Sequence, residues 1–192
     1  MPVIRAAASH GKVAFASYRQ LHSLTNFAFD PKHASLSIVP TQLNRLLLQS
    51  HGPKTLRQFG AIFIGGAACS PQLLEKARSL DIPLSPCFGS TETAAMITAM
   101  DPTDFLQGST GTGQTMPHAT VSVSPENRIQ VCSEALFNGY LGEPAVERFG
   151  FDNVGSFIQK KFEKTPDEEV EILHAVLPRI ARDVTKRDNL NM

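Results

Sequence analysis

Three short β-prone runs, separated by segments with helical periodicity, are the strongest constraint on this chain. The first, ASLSIV (34–39), is stopped by Pro40. Thr41 opens a helical pattern with Leu43, Leu46 and Leu47 on one face, closed by His51-Gly52-Pro53. The second run, Ala61 to Ile64, ends at Gly65-Gly66. Ser70-Pro71 then supplies an N-cap and a first-turn proline for a helix that turns Leu73, Leu74, Ala77 and Leu80 inward. Asp81-Ile82-Pro83 leads into a third extended run through Phe88. Parallel strands need crossovers of about this length, so the rhythm predicts an α/β fold with a partial parallel sheet and flanking helices.

Beyond residue 107 the pattern changes. Gly108 to Gly113 is read as a flexible connector. Thr120 to Ser124 and Arg128 to Ser133 alternate as strands around a Pro125-Glu126-Asn127 turn, which predicts a small antiparallel β unit. From Phe151 onward Lys and Glu become frequent, and Thr165-Pro166-Asp167-Glu168 opens a C-terminal helix. The expected organisation is an α/β part over 1–107, a small β subdomain over 108–150 and a mainly helical tail over 151–192.

Charge and cysteine usage exclude several classes. Lys+Arg 18 offsets Asp+Glu 18, so no global field favours nucleic acid or an acidic membrane. Cys69, Cys87 and Cys132 are widely spaced and the six histidines show no zinc-site spacing. Three reduced cysteines, and no apolar run near the ~20 residues of a membrane span, give a cytoplasmic expectation.

Three loops could carry chemistry. In Gly65-Gly66-Ala67-Ala68 the backbone can approach a ligand closely, although a Gly-Gly after a strand is more often a tight turn. Phe88-Gly89-Ser90-Thr91-Glu92-Thr93 offers a ring for stacking, hydroxyl donors, and a carboxylate able to give Mg²⁺ a hard oxygen. As bare chemistry such a Ser/Thr-rich turn is more often a capped helix start. Gly108 to Gly113 lacks the lysine of a phosphate loop. A serine hydrolase centred on Ser90 fails because G-x-S-x-G is absent.

In order along the chain, VPTQLNRLL (39–47), IFIGGAACSP (62–71), CFGSTETAAMI (87–97), GSTGTGQTMPHATVSV (108–123) and RIQVCSEALFNGYLGE (128–143) resemble the adenylate-forming superfamily. That superfamily comprises acyl-CoA synthetases, luciferases and peptide-synthetase adenylation domains. The fit is best to its 2-succinylbenzoate-activating branch of menaquinone and phylloquinone synthesis and covers roughly residues 11–143.

The resemblance implies ATP and AMP as nucleotides, Mg²⁺ as metal, CoA as co-substrate and a small carboxylic acid as the group activated. Gly65, Gly66 and Ala67 would line the adenine pocket, with Phe88 in the family's usual tyrosine place, and Gly89 and Ser90 beside it. Thr91 would bond the α-phosphate and Glu92 would bind the metal, making these two the catalytic pair. Pro40, Thr41 and Gly111 would lie nearer the acyl pocket.

The same resemblance shows what these residues do not match. The family's phosphate loop with its lysine would fall before residue 11 and has no counterpart here. Its T-G-D has at best an echo in Phe151 to Gly155, with Asn153 at the acid's place or Asp152 one step early. The catalytic lysine of its mobile C-terminal domain has none either. The expectation is a ligase fragment inactive as a lone chain, with a complementary fragment or a second copy as possible partner. The alternatives are a non-catalytic nucleotide- or acyl-binding module and a partner-binding remnant.

Overall fold

The structure, a computed structural model, describes residues 6–15, 17, 21, 29–123, 129–137 and 157–158. The rhythm read from the sequence is present. Strands β1 (Ser35–Ile38), β2 (Ala61–Ile64) and β3 (Leu84–Ser90) pair in parallel, β1 with β2 and β2 with β3. Two further strands, β4 (Ala95–Ala99) and β5 (Gln114–Thr115), add antiparallel to complete a five-stranded sheet in the order β1-β2-β3-β4-β5.

Helix α1 (Pro40–Leu47) buries the face made by Leu43, Leu46 and Leu47. The Val39 N–H at its start donates to Gln42 Oε1 at 3.0 Å, satisfying a donor that the helix leaves open. A second helix, α2 (Gly52–Leu56), begins where His51-Gly52-Pro53 reads as a stop, because proline fits a first turn as well as it ends a helix. Helix α3 (Pro71–Ser79) starts as expected, with Ser70 Oγ accepting the Leu73 N–H at 3.3 Å. The short helix α4 (Pro102–Leu106) is capped in the same way by Asp101, whose carboxylate accepts the Thr103 N–H at 2.7 Å.

One core lies between these helices and the sheet, built from Leu43, Leu46, Leu56, Ile62, Ala77, Ile82, Leu84 and Phe105, all nearly inaccessible to water. Burial of such side chains is worth roughly 1.5–3 kcal/mol each. A three-stranded antiparallel sheet follows, from β6 (Ala119–Val123), β7 (Ile129–Ser133) and β8 (Phe157–Ile158). Its inner residues Val121, Ile129 and Val131 share a second core with Ile97 of β4. The turn between β6 and β7 and the C-terminal helix expected over 165–184 lie outside the described residues. No helix among the described residues is long and apolar enough to cross a membrane.

Candidate functional site

The switch from parallel to antiparallel pairing creates the site. β3 carries the chain to the carboxyl ends of the parallel strands, and residues 91–94 turn it back into β4. Ligands of open α/β sheets bind at that edge. The turn is a hairpin loop and not the start of a helix, and Thr93 shows why. Its Oγ1 accepts the Ser90 N–H at 2.9 Å, while its own proton goes to the Ala95 carbonyl at 2.8 Å or the Ser90 carbonyl at 3.1 Å. A hydroxyl occupied on both sides of the turn closes the hairpin. Ala94 completes it at φ 53, a left-handed conformation that an L side chain adopts at some cost.

The glycines at this edge differ in what they do. At Gly66, φ is 79 and an added Cβ would meet only the Val39 side chain at 3.6 Å, so its backbone and that of Ala67 stand open to solvent. A Cβ on Gly65 would lie 2.9 Å from Cys87 Sγ, which itself donates to the Ile64 carbonyl at 3.3 Å. Gly89 has a different reason to be glycine: a Cβ there would sit 1.9 Å from the Ala95 carbonyl oxygen. Its bareness serves the close approach of β3 and β4.

Around the turn, Thr91 is exposed, whereas Glu92 is 8% exposed and Thr93 3%. The Glu92 carbonyl accepts the Phe137 N–H at 2.9 Å, so the chain leaving β7 holds this turn from outside. Ser90 Oγ is buried without a hydrogen-bond partner. Buried polar atoms are nearly always satisfied, so an orphan at a strand edge is what a ligand or an ordered water would fill. Phe88 is half-buried, with part of its ring on the second core.

Pro40 is buried at the first turn of α1 and Thr41 beside it is exposed, just beyond Val39, which approaches Gly66. Gly111 lies in the loop that leads into the edge strand β5. β5 enters opposite Ala99 and runs past Thr98, and the Met116 N–H reaches the Ile97 carbonyl at 2.7 Å. The loop before β5 runs close beside β4: a Cβ on Gly113 would meet the Ala99 carbonyl oxygen at 2.1 Å, and Thr112 Oγ1 accepts the buried Thr98 hydroxyl at 2.8 Å. Gly65 meets Cys87, and Gly66 and Ala67 follow it beyond the end of β2, next to β3, which leads into the 91–94 turn. Sequence reasoning overlooked Thr93 and Phe137. For Thr93 a signal was available, since a threonine three residues after Ser90 can turn back onto that residue.

The sheet is mixed, three parallel strands continued by two antiparallel ones, with helices packed against it, and residues 30–136 match the family model described as AMP-binding enzyme. The chain belongs to that family, whose relatives here are acid–CoA ligases. It is 31% identical over 118 residues to the 2-succinylbenzoate–CoA ligase of Listeria monocytogenes, covering 62% of this chain and 25% of that protein. To the enzyme of the same name from Staphylococcus epidermidis it is 28% identical over 144 residues, covering 72% and 30%.

Among solved structures, the o-succinylbenzoate coenzyme A synthetase of Bacillus subtilis in complex with AMP superposes with a TM-score of 0.64 at 20% identity, over 82% of this chain and 34% of that one. The N-terminal domain of FACL13 from Mycobacterium tuberculosis gives 0.65 at 19% identity, over 82% and 42%. These establish the fold. The chain thus spans 25% to 30% of the length of these curated relatives.

Proposed function

We propose that this chain supplies the adenine and metal side of an acyl-adenylate-forming CoA ligase, acting on a small carboxylic acid of the 2-succinylbenzoate type. The observation that carries the reading is the β3–β4 hairpin. It sets Phe88, Thr91 and Glu92 at the carboxyl edge of the parallel strands, where Gly65 closes against Cys87. The relatives' shared name supports the acid.

The residues present suit a Mg²⁺-nucleotide. The open backbone of Gly66-Ala67 leaves room for a flat base, the exposed Thr91 hydroxyl can donate to a phosphoryl oxygen, and the orphaned Ser90 Oγ lacks a partner. No cluster of three or more His, Cys, Asp or Glu side chains exists among the described residues. A single carboxylate such as Glu92 is what Mg²⁺ takes when phosphate oxygens and water complete its shell. When bound, the ion would neutralise charge developing on the α-phosphorus as a carboxylate displaces pyrophosphate. Thr91 would hold the phosphoryl group in line, and the Gly66-Ala67 backbone and Phe88 would fix the base. CoA thiol then displaces AMP in the family's second step.

These 192 residues hold no counterpart of the phosphate-loop lysine, whose charge-assisted contacts are worth about 1.5–3 kcal/mol each. The proposal is therefore weak nucleotide binding and no turnover by this chain alone, with a complementary ligase segment needed for activity. A cytoplasmic setting fits three cysteines that form no disulfide. The test is AMP release from ATP, CoA and 2-succinylbenzoate, beside calorimetry with ATP, AMP and an acyl-sulfamoyl adenylate mimic. Robust turnover sinks the inactivity claim; no heat with any of the three ligands sinks the nucleotide site.

A further inference from the structure

We propose that Ser133, at the end of β7, is a positioning residue for Glu92, acting through the backbone of Phe137. The inference rests on the reading of Glu92 as the metal-binding carboxylate. Ser133 is half-buried, and its hydroxyl is engaged twice: it donates to the His118 carbonyl at 2.7 Å and accepts the Ala135 N–H at 3.1 Å. Its carbonyl accepts the Leu136 N–H at 3.3 Å. The first bond ties the end of β7 to the chain entering β6, where Ser133 faces Ala119. The other two curl residues 133–136 into a turn and set Leu136 against the second core. The chain leaving that turn delivers the Phe137 N–H to the Glu92 carbonyl at 2.9 Å.

The β3–β4 turn is thus held from two directions. Thr93 fixes it internally, and the second sheet grips the backbone of the residue whose carboxylate would meet the ion. Losing the Ser133 hydroxyl frees the His118 carbonyl and the Ala135 N–H and loosens the turn that aims Phe137. Glu92 keeps its charge but loses its fixed backbone. A site held to within about 0.5 Å is sensitive to such support. The predicted effect falls on the metal-dependent part of nucleotide binding and leaves the adenine contacts of Gly66 and Ala67 unchanged.

The experiment compares Ser133→Ala, Ser133→Thr and a control, Thr55→Val, which removes the Thr55 hydroxyl bond to the His51 carbonyl on α2, outside the candidate site. ATP binding is titrated across Mg²⁺ concentrations, metal-free AMP binding is measured in parallel, and hydrogen exchange is followed at the Phe137, Thr93 and Ala94 amides. Ser133→Ala is expected to raise the Mg²⁺ midpoint roughly threefold to tenfold, as loss of one hydrogen bond would. AMP affinity should stay constant, those three amides should exchange faster, and Ser133→Thr should restore both. Thr55→Val should lower the melting temperature without moving the Mg²⁺ midpoint. Wild-type binding with an unmoved midpoint in Ser133→Ala overturns the proposal alone, as does unchanged exchange at the three amides. A wild-type chain that binds no Mg²⁺-ATP overturns the underlying reading, and this proposal with it.

Discussion

The Arg78 guanidinium lies 4.6 Å from the centroid of the Phe105 ring, and its Nε donates to the carbonyl of the same residue at 2.8 Å. Nη2 reaches the Ser109 carbonyl at 3.2 Å, and Nη1 pairs with Glu75. One side chain on α3 therefore caps the carboxyl end of α4, where orphan carbonyls gather. Replacing Arg78 by Met removes these bonds while keeping an apolar stem, so Arg78→Met should destabilise by about 1–3 kcal/mol in urea denaturation. Arg78→Lys should recover little, because a single ammonium cannot serve both carbonyls and the ring at once.

Gly89 and Gly108 make an informative pair for alanine substitution. At Gly89 the new Cβ would stand 1.9 Å from the Ala95 carbonyl oxygen, which belongs to the partner strand and cannot step aside. At Gly108 nothing lies within 4 Å, and only the φ of 94 resists. Gly89→Ala should cost about 3 kcal/mol or more, and Gly108→Ala roughly 1 kcal/mol. Equal melting-temperature losses in the two variants would contradict this ordering.

Ala94 offers the opposite sign. Its φ of 53 is paid by a residue with a Cβ, and glycine relieves it at the expense of unfolded-chain entropy. The two terms nearly balance, with relief of about 1–2 kcal/mol against an entropic loss of about 0.4–1. Ala94→Gly should therefore be neutral or stabilising by up to about 1.6 kcal/mol. A clear destabilisation in chemical denaturation would show that the turn is not strained at this residue.

The cysteines should separate by reactivity. Burial pushes the Cys69 thiol up to about 11 from 9.0, whereas Cys132 is exposed on β7. An alkylating reagent near neutral pH should label Cys132 well before Cys69, as mass spectrometry can read. The shift carries a stability consequence. A thiol whose folded pKa lies above its unfolded value binds its proton more tightly in the native state. Its contribution is intact below about 9 and is lost as pH rises from 9 to 11. The folded state should therefore weaken across that alkaline window on account of Cys69.

The α/β framework was legible in the sequence because its signals are local and repeated. Ser70-Pro71 announced α3, the spacing of Leu43, Leu46 and Leu47 announced the buried face of α1, and Gly65-Gly66 marked the end of β2. Asp101-Pro102 carries the same start signal as Ser70-Pro71 yet went unread, because it follows directly on a strand. Gly108 was read as part of a flexible connector but is a helix stop. Its N–H bonds the Phe105 carbonyl at 3.0 Å, and the Ser109 N–H bonds the Asp104 carbonyl at 2.9 Å, the paired bonds of a glycine-terminated helix. The hairpin at 91–94 was illegible for a different reason. A threonine hydroxyl caps a helix or closes a turn equally well, and the choice depends on whether β4 is there to receive the chain. Ser133 and Phe137 could not have been found, since their link to Glu92 spans more than forty residues and runs through backbone.

Where β3 meets β4 the pairing slips: Phe88 lies opposite Thr98, but Gly89 lies opposite Met96, leaving Ile97 without a counterpart. That unmatched residue sends its side chain into the second core and its carbonyl to Met116. Because strand side chains alternate, one residue more or fewer between Gly89 and Thr98 would turn the tip over relative to the strands below it. The hairpin is therefore a ruler for whatever its tip presents. Its chemistry can tolerate exchange of letters, but its length cannot drift. Single-residue insertions and deletions, more than substitutions, are the changes that would erase this site from the family's descendants.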